Sequence, residues 1–300
     1  MRRTRYSRRS LLSNQSVSVV KVACVQLAPP DGSDKPARVD HAISVIDRLP
    51  AVDLIVLPEL WPVGYFRFER YEEEAESMED SLDDGVAAAI REVAIRRGAF
   101  ILGGSFVERT AHGRLHNTSF LLGPGGELLM TYRKMHVFGY RSQENVLLAA
   151  GESITVAETR LGVIGATTCY DLRFPELYRA LIDAGAQIVL VPSAWPKARL
   201  DHWALLNRAR ALENQVYLVA CNMAGTDSDT ALAGNSMVVN PWGEVIARAE
   251  EGEQVLLADL DMELLRSIRE EFPVLKDRRP GIGGNVSIQN AVAPASDRRT

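Results

Sequence analysis

Nine apolar runs rich in Val, Ile and Leu recur along the chain: Val17–Leu27, Leu54–Leu57, Phe100–Phe106, Thr118–Leu122, Leu161–Thr167, Ile188–Val191, Val216–Cys221, Ser236–Val239 and Val255–Asp259. Their hydrophobicity is nearly continuous rather than alternating. A strand wetted on one face alternates, so continuous runs predict strands covered on both faces or packed sheet on sheet. Between several of them lie segments with helical periodicity: Lys35–Leu49, Gly85–Arg97, Pro175–Ala184, Asp201–Asn214 and Met262–Glu271. In Asp201–Asn214, the residues Trp203, Leu206, Arg210 and Glu213 fall on one face. Strand and helix alternate through the first half and the last third, which predicts an α/β fold. Two Gly-containing turns, Gly123-Pro124-Gly125-Gly126 and Asn240-Pro241-Trp242-Gly243, should each join a pair of antiparallel strands. No low-complexity linker interrupts Val17–Asp277, which predicts one domain. A basic leader over residues 1–16 and an extended tail over 278–300 flank it, the tail being a candidate to pack on a partner subunit.

Composition narrows the class. The chain has 300 residues, 46% hydrophobic and 24% charged, as expected of a soluble globular protein. Net charge is −5, and the first ten residues hold five arginines and no acid, so the remainder stands at −10. A body that acidic lacks the clustered Lys and Arg that neutralise phosphates, which argues against nucleic acid as a partner. The acidic run Glu69–Asp84 reads as a solvated loop or helix face, or as a flap beside a site. Three cysteines, Cys24, Cys169 and Cys221, make no disulfide framework and fit a reducing cytoplasm. Cys24 and Cys221 lie in apolar runs and read as inert core thiols. No CxxC and no His/Cys cluster points to zinc. Ser7-Arg8-Arg9-Ser10-Leu11-Leu12 looks like a twin-arginine export signal, but no apolar stretch follows, so the leader reads as a disordered basic tail. No stretch approaches the ~20 apolar residues that span a bilayer.

Three segments end a strand on a reactive group. Cys169, in Thr167-Thr168-Cys169-Tyr170-Asp171-Leu172-Arg173, follows the apolar run from Leu161, placing a thiol on a strand-to-helix turn where backbone N–H groups are free. Asp53-Leu54-Ile55-Val56-Leu57-Pro58-Glu59 ends on a carboxylate, and Met130-Thr131-Tyr132-Arg133-Lys134 on an ammonium. A thiol nucleophile must lose a proton, and a neighbouring carboxylate can accept it. An ammonium and the Tyr170 N–H could hold the oxyanion of a tetrahedral intermediate. Together, Glu59, Lys134 and Cys169 predict acyl transfer to water through a thioester. Each group alone has a plain structural reading: a helix-cap carboxylate, a solvated lysine, a core thiol. His136 offers a Cys–His dyad instead, since on a strand it would share a face with Lys134. Glu59 suits the base role better. His116 reads as a supporting residue of the site or the core, and Trp203 as core or dimer interface. Tyr65 and Phe66 read as pocket lining or as packing.

From Val17 to Gly281 the chain resembles the nitrilase, or carbon–nitrogen hydrolase, superfamily. The resemblance rests on Leu57-Pro58-Glu59, Tyr132-Arg133-Lys134-Met135-His136-Val137-Phe138 and Cys169-Tyr170-Asp171-Leu172-Arg173-Phe174-Pro175-Glu176. Arg208–Gln215 and Gly234–Gly243 add to it. It implies an α-β-β-α sandwich that pairs into an α-β-β-α-α-β-β-α homodimer or higher homo-oligomer. It implies Glu59 as base, Lys134 as oxyanion stabiliser, Cys169 as nucleophile and a second glutamate, at Glu144, that orients the lysine. No metal or organic cofactor belongs to that chemistry. The cysteine string is similar to the Nit/ω-amidase branch, which hydrolyses ω-amides of dicarboxylic acids. The chain departs from the family pattern at Gly139, Asn145 and Asn235 and in a short 139–151 segment, which alters the pocket wall.

The expected function is therefore a cytoplasmic thiol amidohydrolase that turns a small linear amide and water into a carboxylate and ammonia, with no membrane partner. The same superfamily contains N-carbamoyl hydrolases and other aliphatic amidases, and a non-catalytic binding member is the alternative of a different class. Tyr65, Phe138, Tyr170, Arg173 and Trp195 are the candidate substrate contacts, the backbone near Trp195 lining the pocket opposite Cys169. Arg173 reads either as the group that binds a substrate carboxylate or as an ion-pair partner of Glu176 or Glu213.

Overall fold

The computed structural model describes residues 17–28 and 32–279, so the leader over residues 1–16 and nearly all of the expected tail lie outside it. Two six-stranded sheets carry the fold. The first has the order β14-β1-β2-β3-β4-β5. Its strands are β1 (Val19–Gln26), β2 (Leu54–Val56), β3 (Phe100–Arg109), β4 (Leu115–Leu122), β5 (Leu128–Arg133) and β14 (Gln254–Asp261). The second has the order β13-β12-β9-β8-β7-β6. It contains β6 (Val156–Thr159), β7 (Gly162–Ala166), β8 (Ile188–Ser193), β9 (Tyr217–Asn222), β12 (Met237–Val239) and β13 (Val245–Arg248). A small hairpin, β10 (Thr226–Asp227) and β11 (Thr230–Ala231), stands apart.

The two sheets have the same topology. Starting at β14 in one and at β6 in the other, successive pairings are antiparallel, parallel, parallel, antiparallel, antiparallel. Both Gly-containing turns join antiparallel neighbours, β4 to β5 and β12 to β13, as the sequence predicts.

Side-chain alternation explains the continuous apolar runs. In β1, Val20, Val22 and Cys24 face a core shared with the second sheet, while Ala23 and Val25 face the helices outside. In β8, Ile188 and Leu190 face that shared core, and Val189 and Val191 face outward. Every strand buried on both sides needs an apolar residue at every position. The outer layers are α1 (Lys35–Asp47) and α4 (Val86–Arg97) on the first sheet, α6 (Pro175–Asp183) and α7 (Leu200–Asn214) on the second. The α-β-β-α sandwich follows. Short helices α2 (Tyr71–Glu74), α3 (Met78–Asp84) and α5 (Glu144–Leu147) lie in the connections, and α8 (Met262–Glu271) seals one end of the shared core.

The acidic run Glu69–Asp84 is neither a plain solvated loop nor a single helix face. It forms a 3-10 turn, α2 and α3, and Tyr71 within it is fully buried, donating its hydroxyl to the Tyr65 carbonyl oxygen. Cys24 and Cys221 are buried free thiols in the shared core, and Trp203 is buried with its indole N–H on the Asn235 carbonyl at 2.8 Å.

One irregularity in β3 serves the site. Its pairing with β4 slips between Leu102 and Ser105, across Gly103 and Gly104. Ser105 N–H donates to the Pro58 carbonyl at 3.2 Å, and Ser105 Oγ accepts from Leu60 N–H at 2.9 Å. The loop around Glu59 is therefore seated on β3. Gly104 has φ +69, and a Cβ there would run into the Pro58 carbonyl oxygen and the Trp61 ring. Gly104→Ala should thus cost about 2 kcal/mol or more, through both the left-handed backbone and the clash. Urea unfolding measures it, and an unchanged midpoint would show that the Glu59 loop does not depend on this seat.

Candidate active site

Four polar side chains from separate elements meet at one end of the sandwich. Glu59 follows β2 and is completely buried. Its N–H reaches across to the Ser193 carbonyl at the end of β8, at 3.4 Å. Its Oε2 accepts from Ala194 N–H at 2.9 Å, while Oε1 accepts from Lys134 Nζ and from Asn117 Nδ2, both at 2.8 Å. Lys134 follows β5 and has no exposed side-chain surface. Its main chain is pinned on both sides, N–H to the Asn117 carbonyl and C=O from Gly151 N–H, each at 2.8 Å. Besides Glu59, Nζ donates to both carboxylate oxygens of Glu144, at 2.8 and 3.0 Å. Glu144 also accepts from the Tyr65 hydroxyl at 2.9 Å and the Phe138 N–H at 2.8 Å.

Cys169 comes one turn beyond β7. Thr168 caps a 3-10 turn, Cys169–Arg173, and Asp171 returns a bond to Thr168 N–H at 2.9 Å. Cys169 has φ +48, and Leu60, beside Glu59, has φ +44. Left-handed backbone at non-glycine residues is uncommon and costs energy that the surroundings must offset. Both sites of strain flank the constellation. The Glu59 carboxyl group and the thiol act directly on each other's proton affinity.

Charge sets the protonation states. Burial depresses the Lys134 ammonium, but Glu144 and Glu59 outweigh it and hold its pKa well above that of an ordinary lysine. Burial raises the Glu59 carboxyl, Lys134 opposes that rise and Glu144 adds to it, leaving the pKa above the usual carboxylate range. Burial and then the Glu59 charge push the Cys169 thiol well above an ordinary cysteine. At rest an ammonium lies between the two buried carboxyl groups with a protonated thiol alongside.

Over residues 21–270 the chain matches the family model described as carbon-nitrogen hydrolase. The chain belongs to that family. Among curated relatives, this hydrolase is 40% identical over 256 residues to a 2-oxoglutaramate amidase of Paenarthrobacter nicotinovorans, covering 83% of this chain and 85% of that one. It is 35% identical over 246 residues to omega-amidase NIT2 of Danio rerio, covering 79% of this chain and 86% of that one. Among solved structures it superposes on Saccharomyces cerevisiae Nit3, a member of branch 10 of the nitrilase superfamily, with TM-score 0.80 and 33% identity. That match covers 87% of this chain and 97% of Nit3.

Beside Cys169 the hydrolase has a crevice. Tyr65, Phe138, Tyr170, Arg173 and Trp195 all line it, together with Phe66 and Arg199. The backbone donor facing the Glu59 carboxyl group belongs to Ala194. The Arg173 guanidinium lies 4.8 Å from the Trp195 ring centroid and donates to His202 Nδ1 at 3.2 Å. Glu213 pairs instead with Arg210, at 2.8 Å. Among the described residues no carboxylate pairs with Arg173.

His136 lies past the end of β5, so strand alternation does not put it beside Lys134. Its ring stacks on Phe174 at 3.7 Å, and its Nδ1 and N–H both meet Asp171 Oδ1, at 2.7 and 2.9 Å. His116 is buried in β4 next to Asn117, and alternation turns the asparagine, not the histidine, toward Glu59 and Glu144. Sequence reasoning passed over Asn117 and Asp171. The available signal was a polar stretch, His116 to Ser119, at the start of the apolar run that becomes β4, and an acid at the third position of the cysteine turn, where a capping carboxylate is favoured.

Asp171 is the tie between the cysteine turn and the lysine strand. It is fully buried and accepts four bonds, from the Tyr132 hydroxyl at 2.6 Å, Thr168 N–H, His136 N–H and His136 Nδ1. Asp171→Asn should lose about 2–4 kcal/mol, because a neutral amide weakens charge-assisted bonds and strands a donor against donors. Denaturant unfolding checks this. A variant as stable as the parent would show that the tie does not hold the turn.

Proposed function

We propose that this chain is a thiol amidohydrolase acting on ω-amides of short dicarboxylates. The observation that carries the reading is one crevice lined both by Cys169, which the buried Glu59–Lys134 network backs, and by the Arg173 guanidinium, which has no carboxylate partner among the described residues. Behind Cys169, Lys134 lies between the Glu59 and Glu144 carboxyl groups, while the crevice wall carries the Arg173 guanidinium. A guanidinium on the wall takes a substrate's carboxylate and leaves its neutral amide to the thiol. Relatives named for 2-oxoglutaramate and ω-amides support the same class.

Cys169 Sγ attacks the amide carbon as its proton passes to Glu59. Lys134 Nζ and the Tyr170 N–H hold the oxyanion; that N–H lies in the first turn of a helix, where it has no intrahelical acceptor. Collapse breaks the C–N bond, Glu59 returns the proton to the departing nitrogen, and ammonia leaves a Cys169 thioester. Water, deprotonated by Glu59, attacks the thioester; the second collapse frees the carboxylate and restores the thiol. Glu144 holds Lys134 charged and in place.

The proposal extends to place and assembly. Three buried free thiols accord with a reducing cytoplasm, and no helix of the described residues is long and apolar enough to cross a membrane. Leu205 and Leu212 are exposed two turns apart on α7, which supports a homodimer with α7 layers in contact.

Cys169→Ala should reduce ammonia release from succinamate at least about a thousandfold; retained turnover would remove the thiol from the chemistry and favour a different nucleophile. Activity should fall on the acid side as Glu59 takes up a proton. Because its pKa is raised, that limb of the kcat/KM profile should lie above the ordinary carboxylate range, and a limb within that range would contradict Glu59 as the base. Arg173→Ala should raise KM for succinamate about 10- to 100-fold and change a neutral amide such as butyramide much less. Equal losses on both would make the arginine structural. A parent enzyme that releases ammonia from N-carbamoyl compounds but not from succinamate or glutaramate would replace this reading with a carbamoyl hydrolase.

A further inference from the structure

Asn117 takes no step in the mechanism, yet it touches every charged group behind the thiol. It lies in β4, is fully buried, and is not among the residues that line the crevice. Its main-chain carbonyl accepts the Lys134 N–H at 2.8 Å. Its side-chain Nδ2 donates to Glu59 Oε1 at 2.8 Å and to Glu144 Oε1 at 3.3 Å. The other end of the amide has no use of this kind: Oδ1 is buried and has no hydrogen-bond partner among the described residues. A buried acceptor left without a donor costs stability, and a fold that keeps one gains something elsewhere. Turning the amide over would set Oδ1 against two carboxyl oxygens and orphan both protons of Nδ2 instead.

The gain is at the donor end. Glu59 Oε1 and Glu144 Oε1 each also accept from Lys134 Nζ at 2.8 Å. Two carboxyl oxygens therefore crowd onto one ammonium, and the Glu144 charge opposes ionisation of Glu59. Nδ2 carries two protons, one for each of the same two oxygens, so ammonium and amide bridge the pair from two directions. The titratable groups that face Glu59 are Lys134 after β5, Glu144 in α5, Cys169 after β7, and Tyr65 and Tyr71 from the segment that follows Glu59 itself. Asn117 differs from all of them. An amide nitrogen donates without a proton that it can surrender, so it favours the ionised carboxyls and never competes as an acid.

Resting on the reading of Glu59 as the base, we propose that Asn117 is a positioning residue of the hydrolysis: the two protons of its amide hold Glu59 and Glu144 against the same ammonium and keep the Glu59 carboxylate ionised to receive the Cys169 proton. Asn117 acts through carboxyl groups behind the crevice wall. It governs the chemical steps and their pH dependence, and leaves the binding of substrate to the crevice itself.

The test measures kcat and KM for ammonia release from succinamate across pH, in the full-length parent, Asn117→Ala and Asn117→Asp. Asn117→Ala should lower kcat at neutral pH about 10- to 100-fold and change KM by less than about threefold. Losing a donor to a carboxylate favours its protonated form, so the acid limb of kcat/KM should move to higher pH, by about one unit. Asn117→Asp keeps the shape of the side chain but turns a third carboxyl group toward the other two, and should move the limb further the same way. Circular dichroism matching the parent shows that a variant is folded. Folded variants whose acid limb stays at the parent's position, or whose loss lies in KM alone, would overturn the proposal. Loss of the fold in both variants would assign Asn117 to stability and overturn it as well. A parent inactive on succinamate would overturn the substrate reading instead. The pH dependence of Cys169 alkylation by iodoacetamide, followed by mass, then carries the same comparison without a substrate, and the same upward shift is expected.

Discussion

An ammonium without any contact with water, held between two carboxylates, is the constraint on which the rest of the structure depends. Lys134 has lost its hydration, and so have Glu59 and Glu144. Stripping water from three charges is costly unless geometry and extra hydrogen bonds repay it. Here they do: Asn117 bridges Glu59 and Glu144, Tyr65 and the Phe138 N–H complete Glu144, and the Ala194 N–H completes Glu59. Removing one partner would leave a buried charge uncompensated. The network therefore requires every element that supplies a donor to be in place at once.

The paired sheets meet that requirement. Glu59 leaves β2 of one sheet and Cys169 follows β7 of the other, while Ser193 at the end of β8 supplies the carbonyl, and Ala194 just after it the N–H, that clamp Glu59. The ends of parallel strands in two sheets of the same topology thus face each other across the shared core, as ligand sites in open α/β sheets gather at carboxyl ends of strands. Asp171 and the slip in β3 fix the remaining freedom of the two strained turns. Strain at Cys169 and Leu60 is tolerated because packing on all sides leaves those residues no alternative.

Much of this was legible in the chain. Strands buried on both faces announce themselves by unbroken Val, Ile and Leu, and helices such as Met262–Glu271 by their period. Reactive residues at strand ends stood out because Glu59, Lys134 and Cys169 each interrupt or follow an apolar run. The supporting residues were harder. Asn117 and Asp171 act only through partners far away in sequence, and periodicity carries no information about such contacts. Tyr71 sits inside an acidic run whose composition suggests solvent, yet it is buried, its ring edge-on to Phe68 and its hydroxyl on the Tyr65 carbonyl. His136 misled because β5 ends one residue before Lys134, so alternation no longer applies there. Arg199 was invisible as a site residue, since nothing local distinguishes it from Lys197; only the fold shows that Lys197 pairs with Glu251 and that Arg199 lines the crevice.

The chemistry follows from who holds the proton at rest. Lys134 stabilises the Glu59 charge, and burial together with that charge disfavours a thiolate, so Cys169 stays neutral until a substrate arrives. Attack and proton transfer are then coupled, and a reactive anion does not stand idle in the pocket. The most direct measurement is the ultraviolet thiolate absorbance of the free enzyme as a function of pH, taken as the difference between the parent and Cys169→Ala. This account predicts no thiolate signal from Cys169 at neutral pH and a titration displaced above that of an ordinary cysteine. A full thiolate signal at neutral pH would mean a preformed ion pair with Lys134, and Glu59 would lose its place as the base that activates the nucleophile.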